Sequence, residues 1–211
     1  AQWHGEKNGE SSPTEFLSGS SKKVWWRCSA GLDHEWPATI NSRVKGAGCP
    51  CCTNQRAVNS NCLETTHPDI AEQWYYEKNK GLKFTDGRAI TPNTVTIGSQ
   101  KKVWWKCPEA SDHEWQAIIQ TRKAMSCPYC LNQRTSISNC LATTHPEIAE
   151  QWHYEKNGGL MFADGTVLTP ETVTIGSNKK VWWKCPEAPD HEWPAIILTR
   201  KQYTCPCCSN Q

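Results

Sequence analysis

The stretch Lys101-Lys102-Val103-Trp104-Trp105-Lys106-Cys107 decides the fold, because it recurs together with its surroundings. It is followed by Asp-His-Glu-Trp at 112–115 and by Cys-Pro-Tyr-Cys at 127–130. Regular self-similarity of this kind is typical of tandem-repeat proteins. The sequence therefore predicts three copies of one unit. The other two copies of the three motifs lie at 22–28, 33–36 and 49–52, and at 179–185, 190–193 and 205–208.

Each copy carries three cysteines and one histidine at nearly constant spacing, as Cys-x₅-His followed by Cys-Pro-x-Cys. Zn²⁺ prefers four tetrahedral sulfur and nitrogen ligands, and a site closed by four protein ligands is typically structural rather than catalytic. We therefore predict three structural Zn²⁺ ions, one for each copy. The predicted ligands are Cys28, His34, Cys49, Cys52, Cys107, His113, Cys127, Cys130, Cys185, His191, Cys205 and Cys208.

Disulfide bonds are the alternative explanation for a chain with 13 cysteines. That number is odd, and disulfides would not require a histidine at fixed spacing. A reducing compartment, where disulfides are rare, is therefore favoured. The cysteines outside the ligand sets are predicted to be bystanders or small buried side chains, with a catalytic Cys–His pair as a weaker alternative. They are Cys51, Cys62, Cys140 and Cys207.

The local patterns predict a small α+β fold for each copy. Lys-Lys-Val-Trp-Trp-Lys-Cys is rich in strand-forming residues, and the segment after His-Glu-Trp alternates between two faces from Glu114 to Arg122. We predict an antiparallel hairpin with Cys107 and His113 near its turn. With the Cys-Pro-x-Cys knuckle, this gives zinc-ribbon- or treble-clef-like modules in tandem, joined by short helices. Pro68 is expected at the first position of one such helix.

The linking segment defines the predicted domain organisation. It reads Asn-Cys-Leu-Glu-Thr-Thr-His-Pro-Asp-Ile-Ala-Glu-Gln-Trp at 61–74 and recurs with few changes at 139–152. Gln2-Trp3-His4 resembles its tail, and residues 209–211 resemble the start of a further repeat, so both ends are expected to fall within a repeat. We predict module 1 at 1–52, linker plus module 2 at 53–130, and linker plus module 3 at 131–208.

The doubled tryptophan predicts two different roles for neighbouring residues, because adjacent strand residues face opposite sides. Trp26, Trp105 and Trp183 should face the core, whereas the preceding tryptophans should face outward beside cationic side chains. Such an outer face could anchor a protein partner, stack nucleobases, or pack under the linker helix with a cation over the ring. The candidate binding residues, all expected on this outer face, are Trp25, Arg27, Arg43, Trp104, Lys106, Arg122, Trp182, Lys184 and Arg200.

The combined motif resembles a repeat family described as probable zinc-ribbon or treble-clef zinc fingers. The resemblance rests on Lys-Lys-Val-Trp-Trp-Lys-Cys, His-Glu-Trp, Cys-Pro-x-Cys and the linker Leu-x-Thr-Thr-His-Pro-x-Ile-Ala-x-Gln-Trp, and it covers nearly the whole chain. It implies a zinc-binding hairpin and knuckle in tandem, with the ligands at the twelve positions named above. The five residues between Cys28 and His34 exceed the gap expected for the family. The resemblance implies no particular biochemical task.

Charge and composition narrow the functional alternatives. The formal net charge is +2, and three zinc–thiolate sites would lower it to about −1. Residues 131–208 carry 7 basic and 8 acidic side chains, whereas a phosphate-binding surface should be basic in every copy. A protein-binding scaffold or linker subunit of a larger assembly is therefore the preferred hypothesis, nucleic-acid binding is the alternative, and an enzyme is disfavoured because no open metal position is predicted. No apolar run is long enough for a membrane span.

Overall fold

The structure, a computed structural model, describes residues 2–209. Within these residues one pattern occurs three times: short linker helices, a two-stranded antiparallel hairpin and a Cys/His cluster. The chain is thus a tandem array of small α+β modules, as the sequence predicted. The predicted start of a further repeat at 209–211 lies outside the described residues, except for Ser209.

The regular elements are short. The hairpins are β1–β2, β3–β4 and β5–β6, with strands at Lys23–Arg27, Glu35–Thr39, Lys102–Lys106, Glu114–Ile118, Lys180–Lys184 and Glu192–Ile196. The helices α1 to α8 are Gly5–Asn8, Ile40–Val44, Leu63–Thr66, Pro68–Ala71, Tyr76–Asn79, Leu141–Thr144, Pro146–Ala149 and Tyr154–Asn157. Short 3₁₀ helices occupy Pro13–Glu15, Ile119–Lys123 and Ile197–Lys201. None of the helices within residues 2–209 has the length and apolar content needed to cross a bilayer.

The register of the first and third hairpins places two inward tryptophans opposite each other. Trp26 pairs with Trp36 in the first hairpin, and Trp183 pairs with Trp193 in the third. In all three, the amide of the first cysteine ligand donates to the carbonyl of the histidine ligand, at 2.9–3.0 Å. This hydrogen bond closes the loop despite the five intervening residues, so the predicted turn holds both ligands.

A short extended segment from each linker pairs with the first strand of the hairpin. Backbone bridges join Trp3 to Trp26, Trp74 to Trp105 and Trp152 to Trp183. The rings of each pair meet edge to face, with centroids 5.5–5.8 Å apart. The last residues of a linker therefore supply both backbone and aromatic core to the module that follows.

An asparagine in the same linker covers the rest of that strand edge. Asn157 ends α8, and its side chain donates to the carbonyl of Trp182 at 2.9 Å and accepts from the amide of Trp182 at 2.8 Å. Asn79 makes the same pair of bonds with Trp104, and Asn8 with Trp25, all at 2.8 Å. These side chains satisfy strand amides that would otherwise be open to another chain, and they share each strand carbonyl with a backbone amide of the linker.

The second strand of each hairpin is shorter than the predicted alternation. The chain leaves the extended conformation after Ile118 and turns into the 3₁₀ helix Ile119–Lys123. Ile119 is fully buried, because the turn directs it into the core. From this point the side-chain period is helical rather than two, which changes the direction of every later residue.

Backbone contacts divide the chain into two compact units, Ala1–Lys106 with Trp115–Ala124, and Cys107–Glu114 with Met125–Gln211. In the first unit, Trp36, Cys49 and Cys51 form a small buried cluster against Val58. In the second unit one core runs continuously from the linker into the third hairpin, from Leu141 to Cys205. The predicted domain boundaries remain predictions. The contacts of Val58 and Trp152 show that linker residues pack into the cores of the modules.

The linker helix α4 begins where the sequence predicted. Pro68 occupies the first position of α4, and the helix ends at Ala71, before Trp74. Thr91 and Pro92 begin a turn that is closed by the bond from the Thr94 amide to the Thr91 carbonyl, 2.9 Å. Gly87 adopts φ 85°, a left-handed conformation that glycine accepts without steric cost.

Each linker also folds back on the knuckle at its start. Asn54 and Asn132, just after the knuckles, have φ of 58° and 55°, a conformation that asparagine tolerates better than most residues. The Thr96 hydroxyl donates to the carbonyl of Asn54 at 2.9 Å. A Cβ placed on Gly176 would lie 3.1 Å from the Cβ of Asn132, so glycine permits this close approach.

Candidate metal centres

Three clusters each bring together three cysteines and one histidine. Within each cluster the potential ligand atoms all lie within 4.8 Å of one another. The hairpin loop supplies one cysteine and the histidine, and the knuckle supplies two cysteines. The clusters are Cys28, His34, Cys49 and Cys52; Cys107, His113, Cys127 and Cys130; and Cys185, His191, Cys205 and Cys208.

The atom spacing within the clusters fits a tetrahedral zinc ion. In module 1 the Sγ atoms of Cys28 and Cys52 are 3.6 Å apart, and Nδ1 of His34 lies 3.4 Å from Sγ of Cys52. Zn–S bonds of about 2.3 Å in a tetrahedron would place sulfurs about 3.8 Å apart. The corresponding distances in modules 2 and 3 are 3.6 Å between sulfurs and 3.4–3.6 Å to nitrogen. The donor set and spacing are therefore compatible with three structural zinc ions.

Crowding of the cysteines shifts the pKa of one thiol in each of the first two clusters. In module 2, burial and the neighbouring Cys107 raise the pKa of the Cys130 thiol to about 12. In module 1, the contact with Cys28 and burial raise the pKa of Cys52 to about 12. A divalent metal bound at the centre of a cluster would favour the ionised thiolates.

The histidine ligands of modules 1 and 2 are held by a hydrogen-bonded chain. Nε2 of His34 lies 3.2 Å from Oγ of Ser60, which donates to Oδ1 of Asp33 at 2.7 Å. In module 2, Nε2 of His113 lies 3.0 Å from Oγ of Ser138, which donates to Asp112 at 2.7 Å. Hydrogen bonds from these serines lower the pKa of Asp33 and Asp112.

Sequence reasoning missed this Asp–Ser–His bridge, because the serine lies in the following linker. Its signal was the recurrence of Ser-Asn-Cys-Leu at 60–63 and 138–141, beside the aspartate of Asp-His-Glu-Trp. Within residues 2–209, Nε2 of His191 has no such hydroxyl partner, and His191 is less buried than His34 and His113.

A second group of polar contacts was also missed. Nε2 of the buried His4 lies 2.7 Å from Oε1 of Glu35, and Lys7 contacts the other oxygen. His153, Glu192 and Lys156 repeat the arrangement in module 3. Contacts with the lysine and then the histidine lower the pKa of Glu35 and of Glu192. These groups tie the linker to the strand that follows the histidine ligand.

The remaining cysteines lie outside the three clusters. Cys51, Cys62 and Cys140 are buried, whereas Cys207 is exposed. Tyr129 takes the place of Cys51 in module 2, where its ring stacks on His113 with centroids 5.0 Å apart and its hydroxyl donates to the carbonyl of Glu114. The position between the two knuckle cysteines therefore serves packing in modules 1 and 2.

The expectation that Arg43, Arg122 and Arg200 lie on the outer face is wrong. The structure places each guanidinium 5.0–5.4 Å from the rings of both inward tryptophans of its module. Arg122 and Arg200 are only 6% exposed. The cause is the turn after the second strand, which is the α-helix α2 in module 1 and a 3₁₀ helix in modules 2 and 3, and which places the arginine three residues after a core isoleucine on the same inward side.

The buried arginines also bind the linker. Nη2 of Arg200 donates to Oε1 of Gln151 at 2.6 Å, and Arg122 makes the same bond to Gln73. Arg43 contacts Gln2 in module 1. Burial lowers the pKa of Arg200. The glutamine of each Gln-Trp pair therefore anchors the linker end to the arginine of the next module.

The outer tryptophans are half-buried under lysines of the linker helices. The lysine Nζ lies 4.5 Å from the ring centroid of Trp25, 4.4 Å from that of Trp104 and 4.2 Å from that of Trp182. The lysines are Lys7, Lys78 and Lys156. This arrangement agrees with the packing alternative. Arg27, Lys106 and Lys184 are exposed beside these rings, as predicted.

The hairpins, knuckles and Cys₃His clusters define a class of protein, namely tandem treble-clef zinc-binding modules. The family model described as "Probable Treble clef zinc finger domain" matches residues 1–55, 70–133 and 148–211. The chain belongs to this family, in agreement with the resemblance noted from its motifs. A comparison with curated proteins found no match.

Proposed function

We propose that the chain is a non-enzymatic scaffold or linker subunit that binds protein partners within a larger assembly. Each candidate metal cluster already offers four protein donors, which leaves no open position for a substrate. Support for the non-enzymatic role comes from this donor set. Support for protein binding comes from the surface of the linkers.

One apolar surface recurs in the second and third repeats. Tyr76 and Tyr154, at the start of equivalent linker helices, are 57% and 62% exposed, and Leu82 and Leu160 are each 37% exposed. Beside Tyr76 and Leu82 lies an open cavity of about 360 Å³ with Trp74 and Ile90 in its wall. Exposed aromatic residues beside an apolar cavity are typical of protein-binding hot spots. This recurrence is the observation that best supports the proposal, because an array can present one surface repeatedly to a partner.

Most of the cationic and aromatic candidate residues make cation–π contacts within the protein, which argues against nucleic acid as the principal ligand. Stacking of nucleobases needs open aromatic faces beside free cations. Here the inward tryptophans hold arginines, and linker lysines cover the outer ones. Nucleic-acid binding remains the alternative because Arg27, Lys106 and Lys184 are exposed at equivalent positions.

The two functions can be separated with matched variants. We expect the double variant Tyr76→Ser/Tyr154→Ser to weaken cross-linking to the native partner about tenfold or more. Lys106→Ser/Lys184→Ser is the control and should retain the partner. Salt-sensitive binding to single-stranded DNA, lost in the lysine variant and kept in the tyrosine variant, would instead establish the nucleic-acid alternative and overturn the scaffold proposal.

A further inference from the structure

The Asp–Ser–His bridge connects each of the first two metal centres to the linker that follows it. Ser60 and Ser138 lie after the knuckle, 26 and 25 residues beyond the histidines that they contact. The serine amide also donates to the aspartate, at 2.8 Å in module 1 and 2.9 Å in module 2. Two hydrogen bonds to one carboxylate fix the position of the serine hydroxyl.

The direction of these hydrogen bonds determines the histidine tautomer. The serine hydroxyl donates its proton to the aspartate, so its oxygen accepts from the histidine Nε2–H. Nδ1 then carries the free lone pair, and Nδ1 is the atom that lies 3.4–3.8 Å from the cysteine sulfurs. A hydrogen bond on the distal nitrogen orients the ring and increases its basicity toward a metal.

The neighbouring asparagine holds the serine in place. The Asn61 amide group donates to the carbonyls of Cys51 and Arg56, at 2.7 and 3.0 Å, and its oxygen accepts from the amide of Val58. Asn139 makes the equivalent bonds, including one of 2.8 Å to the carbonyl of Tyr129. The serine is thus built onto the same knuckle that supplies two cysteines.

We propose that Ser60 and Ser138 are positioning residues that complete the zinc centre of the preceding module by fixing its histidine. Each linker then contributes to the metal centre before it as well as to the hydrophobic core after it. The third centre, where His191 has no hydroxyl partner within residues 2–209, provides an internal reference in the same chain.

The test measures zinc release from the purified 211-residue holo protein to an excess of a colorimetric chelator. We expect Ser138→Ala to accelerate release of one of three zinc ions about tenfold, and Ser60→Ala to accelerate another. The double variant should accelerate two, so that all three ions leave at rates close to that of the third centre, and the rate of the third centre itself should be unchanged. Cobalt substitution gives a second readout, because altered histidine orientation should shift the ligand-field absorption of the affected site.

Two controls separate positioning from a general effect on the fold. Ser138→Thr retains the hydroxyl and should release zinc at nearly the unmodified rate. Ser126→Ala changes an exposed serine next to Cys127 whose hydroxyl has no hydrogen bond among the described residues, and it should also have no effect. Unchanged release in Ser138→Ala, failure of Ser138→Thr to restore it, or equal acceleration of all three ions would overturn the proposal.

Discussion

At the scale of single residues, the same residue types perform unlike tasks according to what surrounds them. Cys130 belongs to a metal cluster, whereas Cys207, equally exposed, lies inside the third knuckle without being a ligand. Arg200 lies between two tryptophans, whereas Lys184 extends into solvent. Position within the 78-residue repeat, rather than residue type, decides the role.

Cys130→Ser tests the ligand assignment directly. A serine hydroxyl is a poor zinc ligand, so we expect this variant to bind two zinc ions and to lose the ordered structure of module 2. Cys207→Ser is the matched control, and it should still bind three ions with unchanged thermal stability. Zinc content measured by elemental analysis, together with near-ultraviolet circular dichroism, gives the result. Three bound ions in Cys130→Ser would contradict the assignment.

Arg200→Leu tests the buried arginine. The substitution removes the bond to Gln151 and both cation–π contacts, and it leaves the glutamine oxygen unpaired. We expect a loss of about 2–4 kcal/mol in the free energy of unfolding of module 3. Lys184→Leu changes an exposed cation in the same module and should cost less than about 0.5 kcal/mol. Equal effects in urea denaturation would contradict the buried role.

At the scale of elements, the chain compensates for short strands and helices by covering their edges and ends. Five-residue strands in two-stranded hairpins are marginal by themselves. Here the linker adds a short extended segment and an asparagine along the first strand, while the second strand of modules 1 and 3 carries Pro37 or Pro194. Proline cannot donate to another strand, which protects that edge.

Asn157→Ala tests the covering of the strand edge. Asn157 is 2% exposed, and its removal would leave the amide of Trp182 without its partner, whereas the carbonyl of Trp182 would keep its bond from the amide of His153. We expect a loss of about 1–3 kcal/mol and faster hydrogen exchange of the Trp182 amide. Asn178→Ala changes an asparagine that makes no such pair of bonds to the strand, and it should leave that exchange rate unchanged. An unchanged exchange rate of the Trp182 amide in Asn157→Ala would show that the Asn157 side chain does not protect this strand edge.

Repetition made the hairpins, the Cys/His clusters and the inward Trp26, Trp105 and Trp183 predictable from the sequence. Period-two alternation failed after Ile118, because a single sequence did not show where the strand becomes a 3₁₀ turn. The Asp–Ser–His bridge was not predicted, because the 25 residues between His113 and Ser138 place it among long-range contacts. Local patterns indicate the elements and the donors, whereas contacts across a repeat boundary depend on how the linker folds back.

At the scale of the whole molecule, each module is stabilised by its own metal centre and its own hydrophobic core. Hydrophobic residues make up only 37% of the chain, and the buried cluster around Trp36 in module 1 is small. In small domains of this kind a structural metal supplies folding free energy that the core does not. The formal charge of about −1 expected for the zinc-loaded form also differs in sign from that of the metal-free chain.

Removal of zinc should therefore unfold the modules. We expect a strong chelator to abolish the ordered near-ultraviolet signal of the tryptophans, and added zinc to restore it, with about 10–16 kcal/mol of binding free energy available per site in comparable small domains. Acid should act in the same direction, because thiols and imidazole must lose their protons to bind the metal. A chelator-treated chain that keeps its tryptophan signal would contradict metal-dependent folding.

The two-sided linker has a consequence for how such an array changes length. Gln73 and Trp74 complete the module that follows the linker, and Ser60 contacts the histidine of the module that precedes it. A deletion that ends within the linker without removing a whole repeat would therefore remove contacts from one of these modules. Deletion of one full repeat restores all of these contacts, wherever within the repeat the deletion begins. Deletion of residues 61–138 should thus yield a folded chain with two zinc ions, whereas a deletion half as long should not. The array should therefore grow or shrink only by whole repeats.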